Sequence, residues 1–153
     1  GYSVYEPKDL QMLFKKKLIP DIVQLPYNIL DRKFESYIDS LKKKKIEIHV
    51  RSVFLQGLYF MDANSLPSKL LSLRNPLIKL KKLCKSRSIS MLELCLSFVL
   101  KNKNIDYIIV GVESLQQLIQ INKVFKNNDN SLKAKWFDLN FSCNENLLNP
   151  SNW

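Results

Sequence analysis

Apolar and polar positions switch between two periods along this chain, and the switches mark out alternating helices and strands. After Pro7, whose missing N–H costs nothing in a first turn, Leu10, Leu13, Phe14 and Leu18 recur near helical spacing; Pro20 ends the helix they predict. Asp21-Ile22-Val23-Gln24-Leu25-Pro26 is a short β-prone run closed by proline. A long amphipathic helix is predicted next, with Leu30, Phe34, Tyr37, Ile38 and Leu41 along one side. The lysines at 42–45 stand at its C-terminal end, where the helix dipole favours cations. From Ile46 the period drops to two: Ile46, Ile48 and Val50 point one way, Glu47, His49 and Arg51 the other.

Residues 58–75 read as irregular, with breaks at Pro67 and Pro76, before a helix carrying Leu77, Leu80, Leu83 and Cys84. Ser90-Met91-Leu92-Glu93 matches a capping box, in which the serine hydroxyl and the glutamate satisfy orphan amides reciprocally; it opens the apolar helix 91–100. Residues 105–110 are nearly all apolar and read as a strand buried on both sides. Ser114 is placed to cap a helix over 115–125. Beyond Asn127 the chain turns to an asparagine-rich tail with isolated anchors, Trp136, Phe137, Phe141 and Trp153. The reading is therefore βα units over residues 1–127 and a tail over 128–153, packed on or trailing from them.

Strand and helix in alternation require parallel strands with right-handed crossovers. In a sheet wrapped by helices, Ile46, Ile48 and Val50 should meet the helices, leaving Glu47 and His49 inside and Arg51 at the mouth. Periodicity alone does not separate an open doubly wound sheet from part of a (β/α)8 barrel. No Gly-x-Gly-x-x-Gly follows any strand, which counts against the dinucleotide-binding version of the open sheet.

Composition narrows the classes. At 153 residues with 46% hydrophobic and 25% charged residues, the chain suits one globular domain. Three glycines and one histidine leave little material for glycine-rich phosphate loops or histidine metal sites. The net charge of +10 raises nucleic acid as a partner, but the basic and aromatic residues do not interleave on any one predicted face. A solvated basic surface is the expectation, with nucleic acid ranked last. Cys84, Cys95 and Cys143 fit neither a disulfide framework nor a zinc site, so a reducing compartment is expected, with Cys95 in the core. No apolar run approaches the roughly 20 residues of a membrane span and no signal peptide is visible, so the chain is expected to be cytoplasmic with no membrane partner. It opens on Gly1-Tyr2-Ser3-Val4-Tyr5 without a methionine, as if cut from something longer.

Four motifs in order resemble the aldo-keto reductases, an oxidoreductase family. Gly1-Tyr2-Ser3-Val4 is similar to the end of that family's fifth strand and Val23-Gln24-Leu25-Pro26-Tyr27-Asn28 to its sixth. Val50-Arg51-Ser52-Val53-Phe54-Leu55-Gln56-Gly57-Leu58 resembles the seventh, and Ile109-Val110-Gly111-Val112-Glu113-Ser114 with Gln117-Leu118 the eighth. The resemblance implies an α/β fold: the C-terminal half of a (β/α)8 TIM barrel, about strands 5/6 to 8 with their helices. It also implies NADPH-dependent reduction of a small carbonyl substrate. By resemblance, Ser3 and Gln24 hold the nicotinamide carboxamide and Arg51 lies beneath the nicotinamide ring, where a planar guanidinium can stack. Ser52, Phe54, Gln56 and Gly57 line the pyrophosphate; Gly111, Ser114 and Gln117 hold the adenosine and its 2′-phosphate.

Three positions depart from the pattern. Val4 stands where the family commonly places a carboxamide-binding asparagine, Glu113 where a cation would help a 2′-phosphate that a carboxylate repels, and Ile121, beside Asn122, where an asparagine contacts the adenine; these departures count against NADP selectivity and against unimpaired cofactor binding. The family's catalytic aspartate, tyrosine, lysine and histidine come from its first four strands, so no catalytic residue is assigned here and no turnover is expected of the chain alone. His49 reads as structural, bonded to Glu47; an ion pair with Glu47 or Asp21 is the alternative for Arg51, and a plain helix cap for Ser114 and Gln117. An unclosed sheet exposes two strand edges, so the chain is expected to pair with another copy or with its own N-terminal half. A non-catalytic half-barrel acting as an assembly or interaction module is the alternative.

Overall fold

The computed structural model of the protein describes residues 1–126, 141 and 143–153. Its centre is a pair of five-residue strands, β2 (Ile22–Pro26) and β3 (Glu47–Arg51), parallel and in register from Ile22–Glu47 to Pro26–Arg51. Both alternate as their sequences demand: Val23, Leu25, Ile48 and Val50 are fully buried, while Gln24, Glu47, His49 and Arg51 keep partial access to solvent. Two-residue strands flank the pair, β1 (Tyr2–Ser3) beside β2 and β4 (Tyr107–Ile108) beside β3. The sheet is four parallel strands in chain order, β1-β2-β3-β4.

The buried face of the sheet joins one apolar cluster with the helices that connect the strands. Leu10 and Leu13 come from α1 (Pro7–Lys15), Ile38 and Leu41 from α2 (Glu35–Lys43), and Leu77 and Leu80 from α3 (Arg74–Arg87). Leu94, Cys95, Leu96 and Val99 come from α4 (Met91–Leu100) and Ile121 from α5 (Leu115–Lys126). The capping box at α4 forms as the sequence predicts. Hydrogen bonds from the Ser90 hydroxyl and backbone hold the Glu93 carboxyl below its usual range.

Several boundaries differ from the sequence reading. Helix α1 stops at Lys15, well before Pro20, because the chain closes a Schellman turn: Lys17 adopts φ +58° and Leu18 N–H reaches Leu13 C=O at 2.9 Å. Leu18 is therefore exposed instead of packed. The same turn ends α2, with Lys45 at φ +60° and Ile46 N–H on Leu41 C=O, and α3, with Ser88 at φ +54° and Ile89 N–H on Cys84 C=O. Helix α2 begins only at Glu35; Leu30 and Phe34 are buried but lie in the loop before it. There the Asn28 carboxamide takes the Leu30 and Asp31 amides and draws the backbone out of helical geometry. Residues 58–75 are not wholly irregular, since 3-10 turns form at Leu55–Phe60 and Ser68–Leu73. Pro76 falls inside the first turn of α3, where it breaks nothing.

The largest correction concerns residues 105–110. The strand there is two residues long and not buried on both sides: Tyr107 is 57% exposed and Ile109 41%. Among the described residues, one flank of β4 has no partner strand, and the same is true of β1. Apart from Phe60 and Leu71, every exposed large apolar side chain of the described residues falls in one of two chain segments, 2–22 or 107–125. The first holds Tyr2, Tyr5, Met12, Leu18, Ile19 and Ile22, from β1 through the start of β2; the second holds Tyr107, Ile109, Val112, Leu115, Leu118, Ile119 and Phe125, from β4 through α5.

Of the tail, residues 143–153 form two 3-10 turns, Glu145–Leu148 and Pro150–Asn152, with Leu148 buried and Trp153 Nε1 donating to Leu147 C=O. Phe141 packs on the core; Trp136 and Phe137 lie outside the described residues. Cys84 and Cys95 are buried, Cys143 is half-buried, and all three are free. No helix among the described residues is long and apolar enough to cross a membrane.

A left-handed conformation costs a side-chain-bearing residue about 1–2 kcal/mol, against roughly 0.5–1 kcal/mol for the extra freedom of glycine. Lys45→Gly is therefore expected to stabilise the chain by about 0.5 kcal/mol, measured by urea denaturation, whereas Lys43→Gly inside α2 should destabilise it by about 1 kcal/mol.

Candidate functional site

The residues singled out by sequence gather at the C-terminal ends of the strands. Ser3 and Gln24 face each other in register, with Ser3 Oγ donating to Gln24 Oε1 at 3.3 Å. Arg51, the last residue of β3, reaches across the end of β2 toward the exit of β1. Its guanidinium donates to Val4 C=O at 3.2 Å and to Ser52 Oγ at 3.3 Å, and lies 4.2 Å from the centre of the Tyr5 ring. The alternative ion pair is not made: Glu47 is taken by His49, Nε2 to Oε1 at 2.6 Å, on the same side of the strand two residues away. His49 is thus bonded to Glu47 and edge-on to the Tyr107 ring. Arg51 has no carboxylate partner among the described residues.

After Arg51 the backbone turns left-handed four times in six residues: Ser52 at φ +58°, Leu55 at +45°, Gln56 at +51° and Gly57 at +79°. Only the last is a glycine, so the other three carry strain of the kind that concentrates at ligand-binding loops. Buried polar groups hold the loop in place. Asn28 Nδ2 donates to Ser52 C=O at 3.0 Å, and the same carboxamide oxygen receives the Tyr59 hydroxyl at 2.7 Å with the Leu30 and Asp31 amides. Phe54 packs against Phe60 with the rings tilted and their centres 5.6 Å apart, Gln56 is exposed, and a side chain on Gly57 would meet nothing within 4 Å. The surface above this glycine is open.

The loop after β4 emerges alongside, tied by Ile109 N–H to Val50 C=O at 2.8 Å. Gly111, Ser114 and Gln117 are all exposed in it. Ser114 Oγ accepts the Gln117 amide at 3.2 Å, and Gln117 Oε1 accepts the Glu113 amide at 2.8 Å. The predicted cap therefore forms, and the two side chains serve the start of α5.

Comparison with known proteins identifies the scaffold. Residues 1–135 match the sequence profile of the Aldo/keto reductase family. The chain belongs to the aldo/keto reductase family. A thermostable aldo-keto reductase solved with the inhibitor epalrestat is 19% identical with a TM-score of 0.56, over 82% of this chain and 42% of that one. An aldo-keto reductase of Bacillus halodurans is 20% identical in both forms solved. Its apo form has a TM-score of 0.63, over 80% of this chain and 43% of that one, and its holo form 0.61, over 81% and 43%. No curated protein matches. The chain thus has the parallel α/β fold of this family and spans less than half the length of the solved reductases it matches.

Within this aldo/keto reductase chain, sequence reasoning missed three residues that shape the site: Tyr5 under Arg51, and the buried Asn28–Tyr59 pair beneath the Ser52 turn. An asparagine just past a strand was the available signal, since its carboxamide folds back onto nearby amides. Burial pushes the Tyr59 hydroxyl well above its usual range, so it remains a donor. Beside it Asp31 is 1% exposed, with Oδ2 lacking a hydrogen bond and 3.6 Å from Lys33 Nζ. Burial raises its carboxyl to about 6 despite that lysine.

A raised carboxyl stabilises the fold fully below the unfolded value, and that contribution is lost as pH rises through the folded one. Asp31→Asn escapes the loss. Its stability relative to the natural chain is expected to rise by roughly 2 kcal/mol between pH 4 and pH 7, most of it before about pH 6, in paired urea melts.

Proposed function

We propose that this chain is the cofactor-side half of an aldo-keto reductase barrel, its four strands corresponding to the fifth to eighth of the family. Completed, it binds a nicotinamide dinucleotide, NADP(H) in the family at large, and takes part in the reduction of a small carbonyl compound. The observation that carries the reading is the loop from Arg51 to Gly57: a half-buried guanidinium without a carboxylate, followed by a strained turn open above its glycine, at the C-terminal end of a parallel strand. That is where barrel folds bind phosphorylated ligands. The donor set suits a dinucleotide.

Arg51 offers its planar face under the nicotinamide, steadied by Tyr5 and Val4. Ser3 and Gln24, now bonded to each other, are placed to turn to the carboxamide. Ser52, Phe54, Gln56 and Gly57 line the pyrophosphate, and Gly111, Ser114 and Gln117 the adenosine. The bound cofactor supplies hydride. The proton donor belongs to the other half of the barrel, since His49 is engaged by Glu47. Two strand flanks without a partner among the described residues, and the exposed apolar side chains of residues 2–22 and 107–125, support completion by the family's N-terminal half. Tyr5, already on one face of Arg51, favours a second reading: a non-catalytic half-barrel that only assembles with a partner.

Fluorescence titration separates them. NADPH and NADH are expected to bind saturably once an N-terminal half is supplied, with Arg51→Ala weakening binding about tenfold, as loss of a stacked guanidinium would. Carbonyl reduction should appear only in the completed barrel. No saturable binding with both halves present favours the assembly module. Light scattering that shows pairing with a second copy in preference to the supplied half would refute the completion described here.

A further inference from the structure

The loop at the adenosine end is short of positive charge. Between Lys103 and Lys123 there is no lysine or arginine, and the only carboxylates are Asp106 and Glu113. Asp106 is occupied at the opposite end of β4, paired with Lys42 and accepting the Ile48 amide. Glu113 is exposed, next to Ser114, and forms no ion pair among the described residues. The amides of Glu113 and Gln117, which could meet an anion at the start of α5, are already satisfied by Gln117 Oε1 and Ser114 Oγ.

We infer that this subsite selects the dinucleotide without a 2′-phosphate, NAD(H), over NADP(H), and that Glu113 is the specificity-determining residue. This rests on the cofactor reading above. A ribose 2′-hydroxyl can donate to the Glu113 carboxylate, whereas a 2′-phosphate brings like charge and needs cations or free amides. The loop offers no cation, and the Ser114–Gln117 cap already takes two of the amides at the start of α5. The chain's net charge of +10 attracts any phosphate from a distance, but at physiological salt the screening length is about 8 Å and local charge decides.

Two nucleotides isolate this end of the cofactor: 5′-AMP and adenosine 2′,5′-bisphosphate, titrated into the 15N-labelled chain at physiological salt. AMP is expected to shift the amides of residues 111–117 saturably, and the bisphosphate to bind about tenfold more weakly, a difference of about 1.4 kcal/mol. Glu113→Gln should abolish the difference and Glu113→Arg reverse it, with the remaining amide spectrum unchanged as a check on folding. Tighter binding of the bisphosphate to the natural chain, or a preference unaltered by Glu113→Gln, overturns the inference and leaves the cofactor reading intact. If neither nucleotide shifts this loop and the completed barrel binds neither NADH nor NADPH, both fall together.

Discussion

The in-register ladder between β2 and β3 sets the geometry of everything around it. Because Pro26 and Arg51 are partners at its end, the two strands stop level, and their following loops leave the sheet side by side. That common edge lets Asn28, just beyond β2, reach the turn at Ser52, just beyond β3. It also lets Arg51 cross to the exit of β1. A slip of one residue in this register would turn Val23 and Leu25, or Ile48 and Val50, away from the helices and bury Gln24, His49 and Arg51. The core and the candidate site are consequently fixed by one set of backbone bonds.

From that ladder outward, order falls away in both directions. The flanking strands contribute two residues each, and the side chains beyond them stay exposed. The face carrying Gln24, His49 and Arg51 is only partly covered, and none of these residues lines the clefts of about 270 and 340 Å³ elsewhere on the molecule. A barrel interior is normally filled by layers of side chains from alternate strands all round. Here Gln24, His49 and Arg51 would furnish one part of such layers.

Much of this was legible in the chain itself. Alternation over residues 46–50, the Ser90–Glu93 box and the helix cap at Ser114 rest on local chemistry, and each element formed where its pattern placed it. Errors arose where a nonlocal partner decides. An apolar run such as 105–110 looks like a doubly covered strand, but cover depends on a neighbour that β4 lacks among the described residues. The start of α2 was misplaced because Asn28 bonds the amides that a helix would have used. At the candidate site, motif residues were found by type and order, whereas Tyr5 and Tyr59 act through contacts with Arg51 and Asn28, 46 and 31 residues away along the chain, and no periodicity announces them.

Three helices finish with the same pair of backward hydrogen bonds, yet lysine or serine stands at each corner in place of glycine. The corner is therefore dictated by the amides and carbonyls that close it, and the residue occupying it only sets how much tension remains. A fold whose exits are secured in this way can drift in composition, losing glycines to lysine and serine, while every segment still ends at the same residue. Its architecture is insulated from its amino-acid usage, and the toll is a uniformly shallower native well.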